Sequence, residues 1–365
     1  MRIAISLSGG GVRATVFHLG VLGRLAKEDL LGNVRIISSV SGGSLAAGLI
    51  FTASGMRWPS SRSYLRDVVP GIADYLTGCD LQRRFIAASC LRPWQILHGR
   101  ASILGRQLHR HWNIDGNLKD LPIAPRWIIN ATCYQTGKNW RFERDMMGDY
   151  QTKYVLGPDL AIADAMAASA AVPGLVGPLE IRCDRYRWTD VYGGGHEIQP
   201  RYRQLHLWDG GVYDNLGTES LFKPSEGICD GADFLIVSDA SRPVSTAAGR
   251  SFWRPGYLAG SMRLIDVATD QVRSLRARML VRHFRSEPGS GVYLKMGRPP
   301  RTTDRSRGGL DKHSIKRLSN LETTLRRLTA AEFGQLFRHG YEVATESLRK
   351  HASGNVAPLP RRAAA

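Results

Sequence analysis

Three short clusters in the 365-residue chain carry the residue types that acyl chemistry needs. They are Ser8-Gly9-Gly10-Gly11-Val12-Arg13-Ala14, Ser39-Val40-Ser41-Gly42-Gly43 and Trp208-Asp209-Gly210-Gly211. A serine hydroxyl becomes a nucleophile when a neighbouring base takes its proton, and Asp209 is a candidate base for Ser41. Backbone N–H groups of a glycine turn, here Gly9, Gly10 and Gly11, can cradle the oxyanion that then develops. Such an oxyanion hole is worth roughly 3–4 kcal/mol per donor.

Each cluster alone has other readings. Gly9, Gly11 and Ala14 also match a G-x-G-x-x-A dinucleotide fingerprint, but that site needs a carboxylate at the end of the next strand, where Ser38-Ser39-Val40-Ser41 offers none. A glycine-rich turn also serves purely structural ends. The second cluster fits a G-x-S-x-G nucleophile elbow, with Ser39 at the first glycine position and Gly43 at the last. It also fits a Ser/Gly helix cap. Ser44 is the lesser candidate nucleophile, since its place in the first helical turn suits a cap. Asp209-Gly210-Gly211 could be an ordinary turn. Arg13 could orient the glycine loop, bind a substrate phosphate or pair with a carboxylate. His196 and His206 are the histidines that could complete a triad. Only one helix separates Gly11 from Ser41, however, and the ordinary α/β-hydrolase layout has its oxyanion loop well before the elbow.

The elements that must position these residues follow from hydrophobic period. Residues 2–7 and 34–40 read as buried strands, and 12–27 and 45–51 as helices. Strand, helix, strand, helix within 55 residues argues for βαβ units and a parallel sheet. Further strands are expected at 127–132, 140–142, 205–209 and 234–238, with a small-residue helix at 160–171. In an open parallel sheet the loops at the carboxyl ends of strands gather at one edge, where ligands bind. The three clusters would meet there, a far more specific signal than any one of them.

These residues resemble the patatin-like phospholipases, whose pattern is G-G-G-x-R/K-G, then G-x-S-x-G about 30 residues on, then D-G-G/A. The resemblance extends to Asn130-Ala131-Thr132 with Thr136-Gly137, to Ala168-Ser169-Ala170-Ala171-Val172-Pro173, and to Asp214-Asn215. It covers about residues 1–55 and 125–240 well and the helical remainder loosely. Ala14 and Ser39 replace glycines of the family pattern; both are small. The resemblance implies a three-layer α/β/α fold with a mostly parallel central sheet. It also implies a Ser41–Asp209 dyad hydrolysing phospholipid or lysophospholipid acyl esters without calcium, metal or other cofactor. A dyad demands an aspartate in a water-poor site, because a free carboxyl is too weak a base at neutral pH. Two rivals share the fold: an acyltransferase using the same dyad, and a catalytically silent membrane- or anion-binding protein.

Residues 55–120 form a Trp- and Arg-bearing helical insert, read either as an interfacial cap or as helices packed on the sheet. The charge is uneven: residues 241–365 hold 24 Lys and Arg against 9 Asp and Glu, whereas residues 1–240 hold 26 against 23. Such a field attracts anionic lipid or nucleic acid, and the sparse aromatics rank nucleic acid below lipid. The organisation expected is one domain over 1–352. It has a basic helix at 257–285, a mobile basic loop at 286–309 around a strand at 292–294, and C-terminal helices over 310–352, helical from 318 to 348. A disordered tail follows at 353–365. Five scattered cysteines without a C-x-x-C pair, no leader-like N-terminus and no long apolar run suggest a cytoplasmic protein, with peripheral membrane contact as the alternative.

Overall fold

Alternation along the first strand sets the layering. In the computed structural model, which describes residues 1–91, 99–243, 257–298 and 309–353, all five residues of β1 (Ile3–Leu7) are buried. Ile3, Ile5 and Leu7 face one core and Ala4 faces another. A strand covered on both faces needs helices on both sides of its sheet. β1 runs into α1 (Gly11–Lys27), and β2 (Val34–Ser39) into α2 (Gly42–Ala53). The insert is helical: α3 (Ser61–Ser63) continues through a π-turn at Tyr64–Val68 into α4 (Val69–Gly78), then α5 (Leu81–Cys90) and α6 (Ala101–Trp112).

After β3 (Arg126–Cys133) come the antiparallel strands β4 (Lys138–Phe142), β5 (Met146–Asp149) and β6 (Lys153–Leu156), then α7 (Ile162–Ser169). Next are β7 (Leu179–Arg182), β8 (Trp188–Thr189), β9 (Glu197–Ile198), β10 (Gln204–Asp209) and the short α8 (Gly211–Asp214). A small ribbon of β11 (Phe222–Lys223) and β12 (Gly227–Ile228) precedes β13 (Phe234–Asp239), α9 (Tyr257–Ser286) and β14 (Gly291–Lys295). The described chain ends with α10 (Lys312–Ser319) and α11 (Ala330–Ser353).

The parallel centre runs β14-β13-β1-β2-β3, and the order continues through antiparallel β4, β5, β6, β8 and β9. On one face α1 packs between α2 and α11; on the other, Leu280 and Phe284 of α9 join Ala4, Ile36, Leu235 and Val237. This is the three-layer α/β/α arrangement expected from the motifs, with a mostly parallel central sheet.

Two expectations need correction. β10 is antiparallel to β3 rather than part of the parallel set. Residues 318–348 are not one helix: α10 stops at Ser319 and α11 begins at Ala330. Leu318, Leu321, Leu325 and Leu328 keep helical spacing, yet the segment between the helices runs along α1, α4 and α5. There the N–H groups of Val12, Gln82 and Leu328 bond to Thr324, Leu325 and Leu76 carbonyls respectively. The strand expected at 292–294 within the basic stretch is β14, a parallel partner of β13. Residues 299–308 of that stretch, and the expected tail beyond 353, lie outside the described residues.

Within the insert, α6 packs on α7, and α4 on α2 and α11. The Trp112 ring is fully buried and the Trp58 indole donates to the Leu31 carbonyl at 2.9 Å, so both serve packing. Trp94 lies outside the described residues. Among those residues, no helix is long and apolar enough to cross a membrane.

Candidate active site

The nucleophile turn is built by close approach. β2 ends at Ser39 and α2 starts at Gly42, leaving Val40 and Ser41 to reverse the chain. A Cβ at Gly43 would collide with the Leu7 carbonyl of β1, so only glycine lets this helix start so near the sheet. Ser41 pays for the sharpness with φ +49° and ψ −115°, a conformation L-residues avoid and one that costs on the order of 1–3 kcal/mol.

Hydroxyls hold that strained turn. The Ser41 N–H donates to Ser169 Oγ at 3.0 Å; Ser169 Oγ meets Ser44 Oγ at 2.8 Å, and Ser44 Oγ meets Ser39 Oγ at 2.9 Å. The Trp127 indole N–H closes the chain on Ser39 Oγ at 2.8 Å. Ser44 is fully buried behind the turn, which removes it as a nucleophile; it bonds to side chains rather than capping backbone. The role of Ser169 was hidden in sequence, although it stands in the small-residue stretch that carries the resemblance.

The aspartate arrives from the opposite direction. β2 and β10 occupy the same edge of β3: Ser39 pairs with Ile129 in parallel, and Asp209 pairs with Ala131 antiparallel. The two strands therefore abut, carboxyl end to carboxyl end, two residues apart along β3, or about 7 Å at the usual rise. Their end turns are forced together. Ser41 and Asp209 line one cavity, and the Ser41 hydroxyl is near enough to the Asp209 carboxyl to favour its ionised form. Asp209 Oδ1 also accepts the Gly211 N–H at 2.7 Å, and the Asp209 carbonyl accepts the Thr132 hydroxyl at 2.8 Å. Gly210 N–H donates to the Ser169 carbonyl at 3.3 Å, so the residue behind Ser41 also fixes the aspartate's turn.

Burial pushes the Asp209 carboxyl up to about 7, against the opposing pull of the Gly211 N–H and the Ser41 hydroxyl. The carboxyl therefore changes protonation state near neutral pH.

The glycine loop lies beside this pair. Gly9 N–H donates to the Asn215 carbonyl at 3.0 Å, so Gly9 is corrected: it shapes the loop but has no amide to offer an oxyanion. Gly10 and Gly11 N–H make no hydrogen bond among the described residues, and Gly11 opens α1, where the helix dipole favours negative charge. Gly11 adopts φ +61°, and a Cβ there would press on the Thr324 carbonyl at 2.5 Å.

Arg13 ties the start of α1 to two distant segments. Its buried guanidinium donates to the carbonyls of Ser319 (3.0 Å), Leu321 (2.7 Å) and Ala240 (2.9 Å). It is not among the residues lining the cavity and makes no carboxylate pair among the described residues. His18 supports the same loop from beneath: Nε2 lies 2.9 Å from the Ser8 carbonyl and Nδ1 2.8 Å from Ser238 Oγ. Burial lowers its pKa to about 4, leaving it neutral at pH 7.

Neither candidate triad histidine reaches the pair. His206 bonds to Gln135 at 2.7 Å, His196 lies in an exposed turn, and no histidine lines the cavity among the described residues. Asp214 is structural: its carboxylate accepts N–H groups of Leu216, Thr218 and Glu219.

Ser41, Asp209 and Gly9–Gly11 open onto a cavity of about 700 Å³, walled by Phe85, Ile86, Val172, Leu175 and Val176, with Arg242, Arg263 and Glu322 among its polar residues. Among the described residues, no three His, Cys, Asp or Glu side chains gather to hold a metal ion.

A parallel α/β core that ends in a strained serine turn beside a buried aspartate defines a class of α/β proteins. The family model for patatin-like phospholipase matches residues 5–222. The chain belongs to that family. Patatin-like phospholipase domain-containing proteins of Chaetomium globosum and Coccidioides immitis are both 26% identical, over 275 and 274 residues. The matches take in 70% and 72% of this chain but only 28% and 33% of those proteins, so the chain spans about a third of their length. Human GIVD cytosolic phospholipase A2 shares the fold at a TM-score of 0.55 and 13% identity, over 96% of this chain and 61% of that one. Its complex with methyl gamma-linolenyl fluorophosphonate gives 0.53, again at 13%, over 96% and 58%.

Proposed function

We propose that this chain is a serine lipid acyl hydrolase that cleaves phospholipid or lysophospholipid esters with Ser41 as nucleophile and Asp209 as base. One observation carries the reading: Ser41 opens onto the same cavity as a buried carboxyl whose proton affinity burial has raised to about 7. Ser41 Oγ attacks the acyl carbonyl while its proton passes to Asp209. The Gly10 and Gly11 N–H groups bind the tetrahedral oxyanion. Collapse expels the alcohol of the lipid, which takes the proton back from Asp209, and leaves an acyl-serine. Asp209 then deprotonates a water that attacks this ester; collapse expels Ser41 Oγ, which takes that proton back from Asp209, and the fatty acid leaves.

The apolar wall at Phe85, Val172 and Leu175 suits an acyl chain, and Arg242 suits a headgroup phosphate. The dyad needs no metal ion, so turnover is expected to persist in EDTA.

The test is labelling with methyl gamma-linolenyl fluorophosphonate, followed by peptide mapping and by mass analysis of products from phosphatidylcholine and lysophosphatidylcholine. Modification at Ser41 together with fatty acid release supports the reading. An unlabelled, inactive protein that still binds lipid favours the silent binding protein, and acyl transfer to added lysolipid favours the transferase.

A further inference from the structure

Exposed apolar side chains gather at the mouth of the cavity, alongside the exposed charged residues Arg242, Asp266 and Glu322. Ile86 of α5, Leu175 after α7, Val212 of α8 and Ile265 of α9 all line the cavity, yet stay 51%, 61%, 37% and 38% exposed. Four separate elements thus offer large hydrophobic side chains to solvent around one opening. Contiguous apolar surface of this kind marks an interaction site.

From Ile265 the surface continues along α9. Ala268, Val272, Leu275 and Met279 follow at alternating spacings of three and four, one straight seam on a helix, and all are exposed. The opposite face of α9 is the one that packs, through Arg273, Leu280 and Phe284. At the far end the row is continued by Arg282 and flanked by Arg278 and Arg285. These three are exposed and have no carboxylate partner among the described residues.

We infer that the α9 seam and the cavity mouth together dock on an anionic lipid bilayer, with the apolar side chains at the acyl boundary and the three arginines at headgroup phosphates. The inference rests on the lipid hydrolase reading for its choice of partner. Charge decides against a second copy of the chain: Arg278, Arg282 and Arg285 would face their own copies across such a contact and repel. An anionic bilayer has the complementary sign. Docked this way, an acyl chain passes from bilayer to cavity along apolar side chains.

Co-sedimentation with vesicles of phosphatidylcholine containing phosphatidylserine, at low salt, tests this. Wild type and Ser41→Ala are both expected to sediment, and to sediment far less with phosphatidylcholine alone. The variant Arg278→Glu/Arg282→Glu/Arg285→Glu should lower partitioning on the order of a hundredfold. Val272→Asp/Leu275→Glu should leave the protein in the supernatant. Both variants should keep wild-type turnover of a water-soluble short-chain ester, which also shows them folded. Wild type that fails to sediment, or variants that bind like wild type, would overturn the docking. So would a dimer in sedimentation velocity that Leu275→Glu splits while vesicle binding persists. Loss of the hydrolase reading has a separate signature: Ser41→Ala that retains ester turnover, whatever the vesicles do.

Discussion

Ser41 and Asp209 reach one cavity by two kinds of structural instruction. Ser41 is placed locally: β2, a two-residue turn and α2 are consecutive, and the geometry is imposed by the lack of a Cβ at Gly43 and by a hydroxyl chain through Ser169, Ser44 and Ser39. Asp209 is placed globally, because β10 takes over the edge of β3 where β2 stops and runs back toward it. Their environments differ as well. The serine side stores backbone strain, whereas the aspartate side stores electrostatic cost in a buried carboxyl. Mutations in the hydroxyl chain behind Ser41 should therefore change reactivity and leave titration alone, whereas loss of the Ser41 hydroxyl itself, or changes on the aspartate side, should also move the titration.

The largest effects test whether both sides are needed. Ser41→Ala should abolish ester turnover and fluorophosphonate labelling, with a cooperative melt retained. Asp209→Asn should lower kcat by roughly 10²–10⁴-fold, the usual worth of a general base. A variant with near-native kcat would show that the aspartate only orients the turn, and would dissolve the contrast.

The acid side also predicts two pH dependences of opposite sense. The proposed base works ionised, so kcat/KM should rise with pH and level off above about 7, falling about tenfold per unit on the acid side. Stability should run the other way. Between the ordinary carboxyl range near 4 and about 7, folded Asp209 keeps a proton that the unfolded chain has lost. Its favourable contribution is complete below that range and disappears as pH rises through about 7. Asp209→Asn, which carries no charge to bury, should then melt above wild type at pH 8 by several degrees, and the gap should close toward pH 4. Scanning calorimetry across that window measures it; a gap independent of pH would remove burial as the origin of the raised pKa.

The same contrast explains what sequence could show. The glycine loop, elbow and first two βα units were legible because their determinants are neighbours in the chain: β-branched runs, helical period, and glycines at the turns. Asp209 was legible as a carboxylate at a strand end, but the antiparallel run of β10 was not, since the alternation of Leu205 and Leu207 is the same in either direction. Gly9 looked equivalent to Gly10 and Gly11 because the carbonyl that takes its N–H belongs to Asn215, more than 200 residues away. Residues 320–329 kept a leucine spacing that mimics a helix while their backbone bonds to three other helices. Arg13 offered three readings in sequence, and the carbonyls that select one come from two distant segments.

The smallest predicted effect sharpens the comparison most. Ser169→Ala removes the acceptor of the Ser41 N–H and the partner of Ser44 without touching the Asp209 side chain. An N–H left unpaired in a buried site costs about 1–3 kcal/mol. Part of that cost should appear as a lower melting temperature and part as a turn that holds Ser41 less well. An order-of-magnitude fall in kcat is expected (about tenfold), with KM nearly unchanged and labelling slowed in parallel. Because the Gly210 N–H bonds to the backbone carbonyl of residue 169, which alanine retains, the Asp209 turn should stay in place. The pH midpoint should therefore remain near 7 while the plateau drops. If the midpoint moves instead, the hydroxyl chain and the carboxyl are one electrostatic unit, and the division between a strained side and a titrating side fails.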